Sequence, residues 1–493
     1  MKSESLGAAR DKYELTGYPY LNIGSEDFQT NSGTGSEYTS NSVFGRVIYS
    51  YADRYLFQAN VRHDGSSRFA KGYRWGTFPS FSAGWVASEE KFMKNLKWDW
   101  LSFLKLRGSW GMLGNERIGS NYFPYIALMS FGNSLFYMAD GSVVSDKTAR
   151  PAVLAVEDIT WETTTSTDLG LDVNFLNNRL QFHFDYYWKE TKDMLLNIEI
   201  PYFMGYNNPS TNAGKMSTHG YDIEVAWNDQ IGDFKYGVNV NFSDFLSKID
   251  YMNDGEQISG GKIKRAGVLF NEFYGYVCEG IYQTQEEVNN SARTSTTVTV
   301  GDLKYRDISG PDGVPDGVIS PEYDRVPLGN SLPRFQYGGS LNASYKGIDF
   351  SLAFQGIGKQ NSYLSTSMVQ PLRDNYGNVP AILEGKYWSP FNTTEENLAA
   401  KYPRLSNVSK SNNYATSNFW MFNGSYFRLK NITLGYTLPK SWTQKAGINR
   451  ARFYVSGSDL FCLSNFPSGW DPEMGTSDYP ITTSLVMGIQ VNF

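Results

Sequence analysis

The residues best suited to chemistry lie between 307 and 325, in the stretch D-I-S-G-P-D-G-V-P-D-G-V-I-S-P-E-Y-D-R. Carboxylates and backbone carbonyls are hard oxygen ligands, and glycine permits the sharp turn that wraps them around Ca2+. The ligand set offered by this spacing is Asp307, Asp312, Asp316 and Asp324, with Val318 contributing its carbonyl. The competing reading is a plain surface loop of Asp, Gly and Pro.

A second chemistry is glycoside hydrolysis, which uses two carboxylates as acid and base at a set separation. The chain has 50 Asp and Glu residues, but sequence does not encode that separation. No nucleophile elbow, zinc motif or phosphate loop accompanies them. Asp168, Asp172, Asp185, Asp222 and Glu224 fall on the polar faces of predicted strands and read as wetted wall residues. His63, His183 and His219 are scattered without metal-ligand spacing. Cys278 and Cys462 read as two unpaired thiols. The third chemistry is stacking on sugar rings. Tyr376, Tyr387, Trp388 and Trp470 sit in or near predicted loops, and Trp420 reads as a residue of the membrane interface.

The elements that must position these groups are strands. In Ser484 to Phe493, Leu485, Met487, Ile489, Val491 and Phe493 fall on one side and Ser484, Val486, Gly488, Gln490 and Asn492 on the other. A strand alternates its side chains between two faces, and about 10 residues cross a bilayer when tilted. The same alternation marks Tyr55 to Arg62, Trp75 to Val86, Asp168 to Phe175, Leu180 to Lys189, Tyr221 to Asn228 and Phe234 to Ser243. Tyr426 to Leu438 slips phase near Asn431, which predicts a bulge. Ser88 reads as the N-cap of a short helical connection. In all, about 13 long strands are expected, joined by connections that mostly alternate short and long, as in an outer-membrane barrel. A C-terminus on the short-turn side places 1–40, 114–160, 250–332 and 358–417 together on the opposite side. Residues 1–40 are expected to be a loop segment, and 41–493 barrel wall.

Composition agrees with this class. Aromatic residues make up 16% of the 493, and they favour strands and membrane interfaces. A mean hydropathy of −0.42 suits a barrel with a polar interior. No apolar run nears the roughly 18 residues of a membrane helix. With a net charge of −6 and no basic block, no nucleic-acid partner is expected. Met1 to Lys12 carries no apolar stretch, so no export signal is read there.

Several motifs resemble the SusC/RagA family of TonB-linked outer-membrane receptors. They are Asp53-Arg54-Tyr55, Arg62 to Phe69 (R-H-D-G-S-S-R-F), Arg74 to Ser80 (R-W-G-T-F-P-S), Lys105 to Gly111 (K-L-R-G-S-W-G) with Gly114-Asn115, and Trp161 to Thr164. Phe175 to Leu180, Asp185-Tyr186-Tyr187, Tyr426 to Ile432 (Y-F-R-L-K-N-I) and Tyr454 to Gly457 continue the likeness. The acidic stretch is similar to the family's D-x-N-G-D-G-x-I loop. Asp316 to Ile319 matches it, while Pro311 to Pro315 stretches its front half and Ser309 replaces the usual Asn or Asp.

The resemblance implies an antiparallel transmembrane β-barrel of the TonB-dependent receptor type, 22 strands in full with a plug inside. The C-terminal part is present here, and plug, TonB box and signal peptide have no counterpart in these residues. It implies an outer-membrane, non-enzymatic role: uptake of oligomeric nutrients, glycan oligosaccharides before peptides. The implied partners are a SusD-like surface lipoprotein, TonB and outer-membrane lipid. The rival expectations are a self-contained β-rich glycan-binding or adhesin protein, and a secreted β glycoside hydrolase.

Overall fold

The computed structural model describes the chain apart from residues 1, 14–16, 18–19, 97, 118–121, 128, 254, 374–376 and 476–477. Thirteen long strands form one antiparallel sheet, each hydrogen-bonded to the next in chain order. They are β1 (Ser40–Tyr51), β2 (Tyr55–Ser66), β3 (Trp75–Val86), β4 (Leu101–Asn115), β5 (Glu162–Phe175), β6 (Leu180–Asn197) and β7 (Ser210–Ile231). Then come β8 (Phe234–Met252), β9 (Arg334–Tyr345), β10 (Ile348–Lys359), β11 (Tyr426–Thr437), β12 (Arg450–Ser464) and β13 (Ser484–Asn492). The strand expectation is met, and the slip anticipated near Asn431 is a register shift between Leu429 and Asn431 in the β11–β12 pairing.

The two faces differ as alternation requires. Leu434, Val455 and Met487 lie in one cross-strand row and are exposed, as are Phe57, Phe81, Leu169, Val225 and Leu341. In water such a band would cost roughly 25 cal/mol for every Å2 left wet; lipid removes that cost. No described helix is long and apolar enough to cross a membrane. At one end Trp98, Trp100 and Phe175 stack with centroids 5.4 and 5.8 Å apart, as residues of an interfacial girdle do.

The strand ends segregate by size. At the girdle end the hairpins turn tightly, and Ala52, Asp53, Asn177, Asn178 and Lys346 take the positive φ such turns require. The connections β3–β4 and β11–β12 at this end carry short helices instead. Lys91–Leu96 is the helix after β3, so it starts beyond Ser88 and the expected N-cap is not used. Every large connection lies at the opposite end: 116–161, 253–333, 360–425 and 465–483.

These connections are not loose. Residues 253–333 contain a four-stranded sheet drawn from Glu256–Ser259, Lys262–Arg265, Glu272–Tyr276 and Arg325–Asn330. The largest buried apolar cluster of the described residues joins this segment to 360–425 through Tyr276, Leu303, Tyr305, Ile319, Met368, Val369, Leu383 and Trp420. Residues 1–40, expected to be a loop, include the antiparallel hairpin Lys2–Arg10 with Gln29–Glu37. Its small polar side chains are exposed on both faces, so hydrophobic alternation gave no sign of it.

Candidate functional site

Three polar constructions stand at the loop end and in the wall beneath it. The first is centred on Asp302, which is fully buried. Its carboxylate accepts bonds from Arg404 Nε (2.7 Å), Ser409 Oγ (2.8 Å), Asn413 Nδ2 (2.9 Å) and the Thr299 N–H (2.9 Å). Asn413 returns its side-chain oxygen to the Leu303 N–H at 2.9 Å, and Asn412 donates to the Leu303 carbonyl at 2.9 Å. Trp420 Nε1 donates to the Asn413 carbonyl at 2.8 Å. Two segments about a hundred residues apart in sequence are thus fused by buried, satisfied polar groups, which is the condition under which burying them is tolerated. No sequence signal singled out Asp302, because a lone Asp after Gly301 resembles any turn residue.

The aromatic candidates lie within this body. Tyr387 and Trp470 are half-buried against its core. Trp388 is buried, donates from Nε1 to Gln283 Oε1 at 3.3 Å, and lies against Gly301. A Cβ at Gly301 would collide with the indole, and its φ of +86° also demands glycine. Trp420, expected at the membrane interface, is instead 1% exposed in the core, stacked on Tyr402 and Tyr414. The cause is its place in a long connection that folds back on itself. Tyr376 lies outside the described residues.

Burial also shifts the phenols here. It pushes Tyr276, Tyr305 and Tyr414 upward and Tyr363 to about 12, and the Cys278 thiol to about 11. A raised pKa means that the fold holds the neutral form. This stabilisation is complete below the ordinary phenol range and is lost as pH rises from about 10 through the folded values. In an alkaline titration followed by tyrosinate absorbance, exposed tyrosines should ionise first and the buried ones later, together with loss of near-UV ellipticity. A single ionisation step near the ordinary value, with ellipticity unchanged, would contradict this.

The acidic loop is closed from within. Asp324, fully buried, accepts the N–H groups of Ile308 (2.7 Å), Ser309 (3.2 Å) and Ser320 (2.7 Å). Asp307 Oδ2 accepts the Gly317 N–H at 2.7 Å, while its Oδ1 is buried without a hydrogen-bond partner. Asp316 bonds the Val318 N–H at 2.9 Å and lies over Gly310, where a Cβ would meet its carboxylate at 2.9 Å. Asp312 and the Val318 side chain are exposed. Among the described residues no three His, Cys, Asp or Glu side chains are gathered as a metal cage. Of the described carboxylates of this loop, Asp307 is the one that presents a buried oxygen without a hydrogen-bond partner.

The second construction lies on the polar face of β4 to β6. Arg107, from the K-L-R-G-S-W-G motif, bonds Asp185 through Nη2 at 2.7 Å and Asp172 through Nε at 3.2 Å. His183 Nδ1 is 3.0 Å from Asp172, and Lys105 is 3.7 Å from it. Gly170 leaves room for the guanidinium to cross the strand. The carboxylates expected on the wall therefore include a cross-strand lattice around one arginine, and a hydrolytic pair is not what the lattice offers. A third cluster fastens the last connection. Arg428, from the Y-F-R-L-K-N-I motif, pairs with Asp471 (2.7 Å), Glu473 (2.7 Å) and Asp459 (3.6 Å), and Lys430 pairs with Asp459 at 2.7 Å.

The family description "TonB dependent receptor-like, beta-barrel" matches residues 4–456. The chain is 31% identical over 488 residues to TonB-dependent receptor P3 of Formosa agariphila, covering 92% of this chain and 45% of that protein. It is 30% identical over 467 residues to TonB-dependent receptor SusC of Bacteroides thetaiotaomicron, covering 92% of this chain and 43% of that one. Among solved structures it superposes on a chain of the RagAB peptide transporter with a TM-score of 0.80 and 24% identity, covering 100% of this chain and 52% of the other. The chain thus spans about half the length of the curated relatives it matches.

Proposed function

Because the chain belongs to the TonB dependent receptor-like β-barrel family, whose members are outer-membrane receptors rather than enzymes, we propose that it supplies the wall and mouth of a nutrient importer. The cargo in this reading is oligomeric, glycan oligosaccharides before peptides, and entry is powered through TonB. One observation carries it. A sheet with an apolar outer face and a charged inner face gathers its bulky connections at one end, where 253–333 and 360–425 pack into a body of their own. A wall of that kind separates lipid from water, and the packed body is a rigid mouth on which recognition can be built.

For the glycan preference, the proposed stacking residues are the half-buried Tyr387 and Trp470, while Trp388, buried against Gly301, holds the body that carries them. Tyr376 belongs to the same proposed group. A SusD-like surface lipoprotein is proposed as the cover of the mouth. The test is a deletion of the gene in its own host, followed by growth and labelled-ligand uptake on panels of oligosaccharides and peptides. Loss confined to one class of oligosaccharide is expected. Loss confined to peptides would overturn the cargo, and unchanged uptake of every ligand would overturn the transport reading.

Ca2+ is proposed for the acidic loop as a structural ion only. Asp307 and Asp316 and the Val318 carbonyl are its donors, and Asp312 closes in on binding. Asp324 stays with its three N–H partners. Millimolar Ca2+ should then raise the melting temperature of the loop body relative to chelator, and Asp307→Asn should abolish the difference. Identical melting with and without the ion would sink the proposal.

A further inference from the structure

At the girdle end, the connection between β11 and β12 is basic. Residues 439–449 hold Lys440 and Lys445 and no carboxylate. Both lysines are exposed, as is Trp442 between them. The neighbouring β9–β10 turn adds Lys346, and the Thr437 N–H joins the two by donating to the Gly347 carbonyl at 2.7 Å. None of the three lysines forms an ion pair among the described residues. Lys346 stands on the lipid side of the wall. Its Nζ lies 5.3 Å from the centre of the Tyr345 ring, and Tyr345 opposes Ile348 and shares its outward face. The helix Lys440–Thr443 stands there too. Ala451, on the same side as Phe453 and Val455, is buried where this helix packs on β12. Asp349 turns to the opposite face, where Arg452 Nε donates to it at 2.9 Å, so it does not neutralise the lysines.

Beside this rim the outer face is grooved. Tyr436, Phe453 and Ile489 form one cross-strand row with Ile348. Leu434, Val455 and Met487 form the next. The groove, about 680 Å3, is lined by both rows and by no charged or amide side chain. An oily slot next to unpaired cations is the complement of an anionic amphiphile. A neutral lipid would leave the lysines without a counter-charge. A second copy packed on this patch about a two-fold axis would set the lysines against their own images. A phospholipid with an anionic headgroup answers both halves. Its chain extends the lipid contact that the wall already makes, its phosphate sits among the lysines, and Trp442 and Tyr436 lie where aromatic rings favour the interface.

We infer that the groove on β10 to β13 and the lysines Lys346, Lys440 and Lys445 form one site for an anionic diacyl phospholipid, with a chain in the groove and the phosphate at the lysines. The test uses the whole receptor, purified in mild detergent from its own outer membranes and moved into micelles holding equal amounts of dioleoyl phosphatidylglycerol and dioleoyl phosphatidylcholine. Lipid retained after passage into lipid-free detergent is counted by mass spectrometry. The samples are wild type, Lys346→Gln/Lys440→Gln/Lys445→Gln, Val455→Trp and Lys147→Gln. Wild type is expected to retain the phosphatidylglycerol in preference. The triple variant should lose that preference by at least about tenfold, and Val455→Trp, which fills the groove, by several-fold. Lys147→Gln, in the 116–161 connection at the other end, should keep it. All the substituted side chains are exposed, so heat-modifiable migration of the barrel should be the same in every sample. Equal retention of the two lipids by wild type would overturn the site, and so would a preference that survives in the triple variant. A preference lost with the lysines but untouched by Val455→Trp would mean that the rim attracts any anionic surface, and would overturn it as well.

Discussion

Replacing Asp302 by alanine is expected to unfold the loop body while leaving the strands in place. The substitution strands the Arg404 guanidinium, the Ser409 hydroxyl and the Asn413 amide, all of which now converge on one carboxylate. Removing one partner of a buried pair costs about 3–5 kcal/mol, because the other charge is left without compensation. That is a large share of the stability of an ordinary domain, set against the largest apolar cluster of the described residues in the loop body. Asp302→Asn keeps the shape and one acceptor oxygen and should lose less. Trypsin digestion in detergent would show rapid cutting within 253–333 and 360–425 for the alanine variant, with the sheet's far-ultraviolet spectrum preserved. Equal protease resistance in the two proteins would mean that the apolar cluster alone holds the body.

Arg428→Ala is the second large effect. The side chain is 3% exposed and reaches three carboxylates on two connected elements. Without it, Lys430 alone faces Asp459 and Glu473. The cost should again be about 3–5 kcal/mol, felt as release of residues 465–483 from the wall. Arg428→Lys keeps the charge but not the fork and should fall between. Burial pushes the Asp471 carboxyl up, but Arg428 and the Glu473 N–H outweigh it and hold the group below its ordinary value. A depressed carboxylate stabilises above its unfolded pKa, about 3.9, and loses that contribution as pH falls below it. Amide protection factors in 465–483, taken relative to intrinsic exchange at each pH, should therefore fall on acidification in the wild type, and already be low at neutral pH in the alanine variant. Slow exchange in the variant at neutral pH would refute the fastening role.

The wall was readable because a strand writes its two environments at every second residue. Leu434, Val455 and Met487 declare the lipid face, and Asn241, Glu224 and Asp172 the other, before any pairing is known. The bulge at Asn431 was visible for the same reason, as a break in phase. The loop body was not readable. Its strands are three to six residues long, too short for a period to emerge, and its core is assembled from Tyr276, Leu303, Met368 and Trp420, which lie far apart in the chain. Trp420 in particular carries no local mark that separates a core tryptophan from one at an interface. The acidic spacing suggested ligands, but spacing does not reveal that Asp324 is already engaged by three backbone donors. The motifs that pointed to the family include two cationic clamps, Arg107 and Arg428, so their recurrence reflects how the wall is locked as much as what passes through it.

Thirteen is an odd number, and antiparallel order makes β1 and β13 run in the same sense, each from the loop end toward the girdle end. Curled until its margins met, this sheet would have a parallel seam, with the slanted bonds of that pairing. Another copy inserted the same way up would present its β1 to β13 in the same sense and meet the same mismatch. Antiparallel closure instead takes a stretch with an odd number of crossings. Such a stretch feeding β1 from the loop end must set out from the girdle end, the side on which β13 finishes. A ring completed in that way would have the first of its crossings start, and the last of them finish, on the girdle side of the sheet.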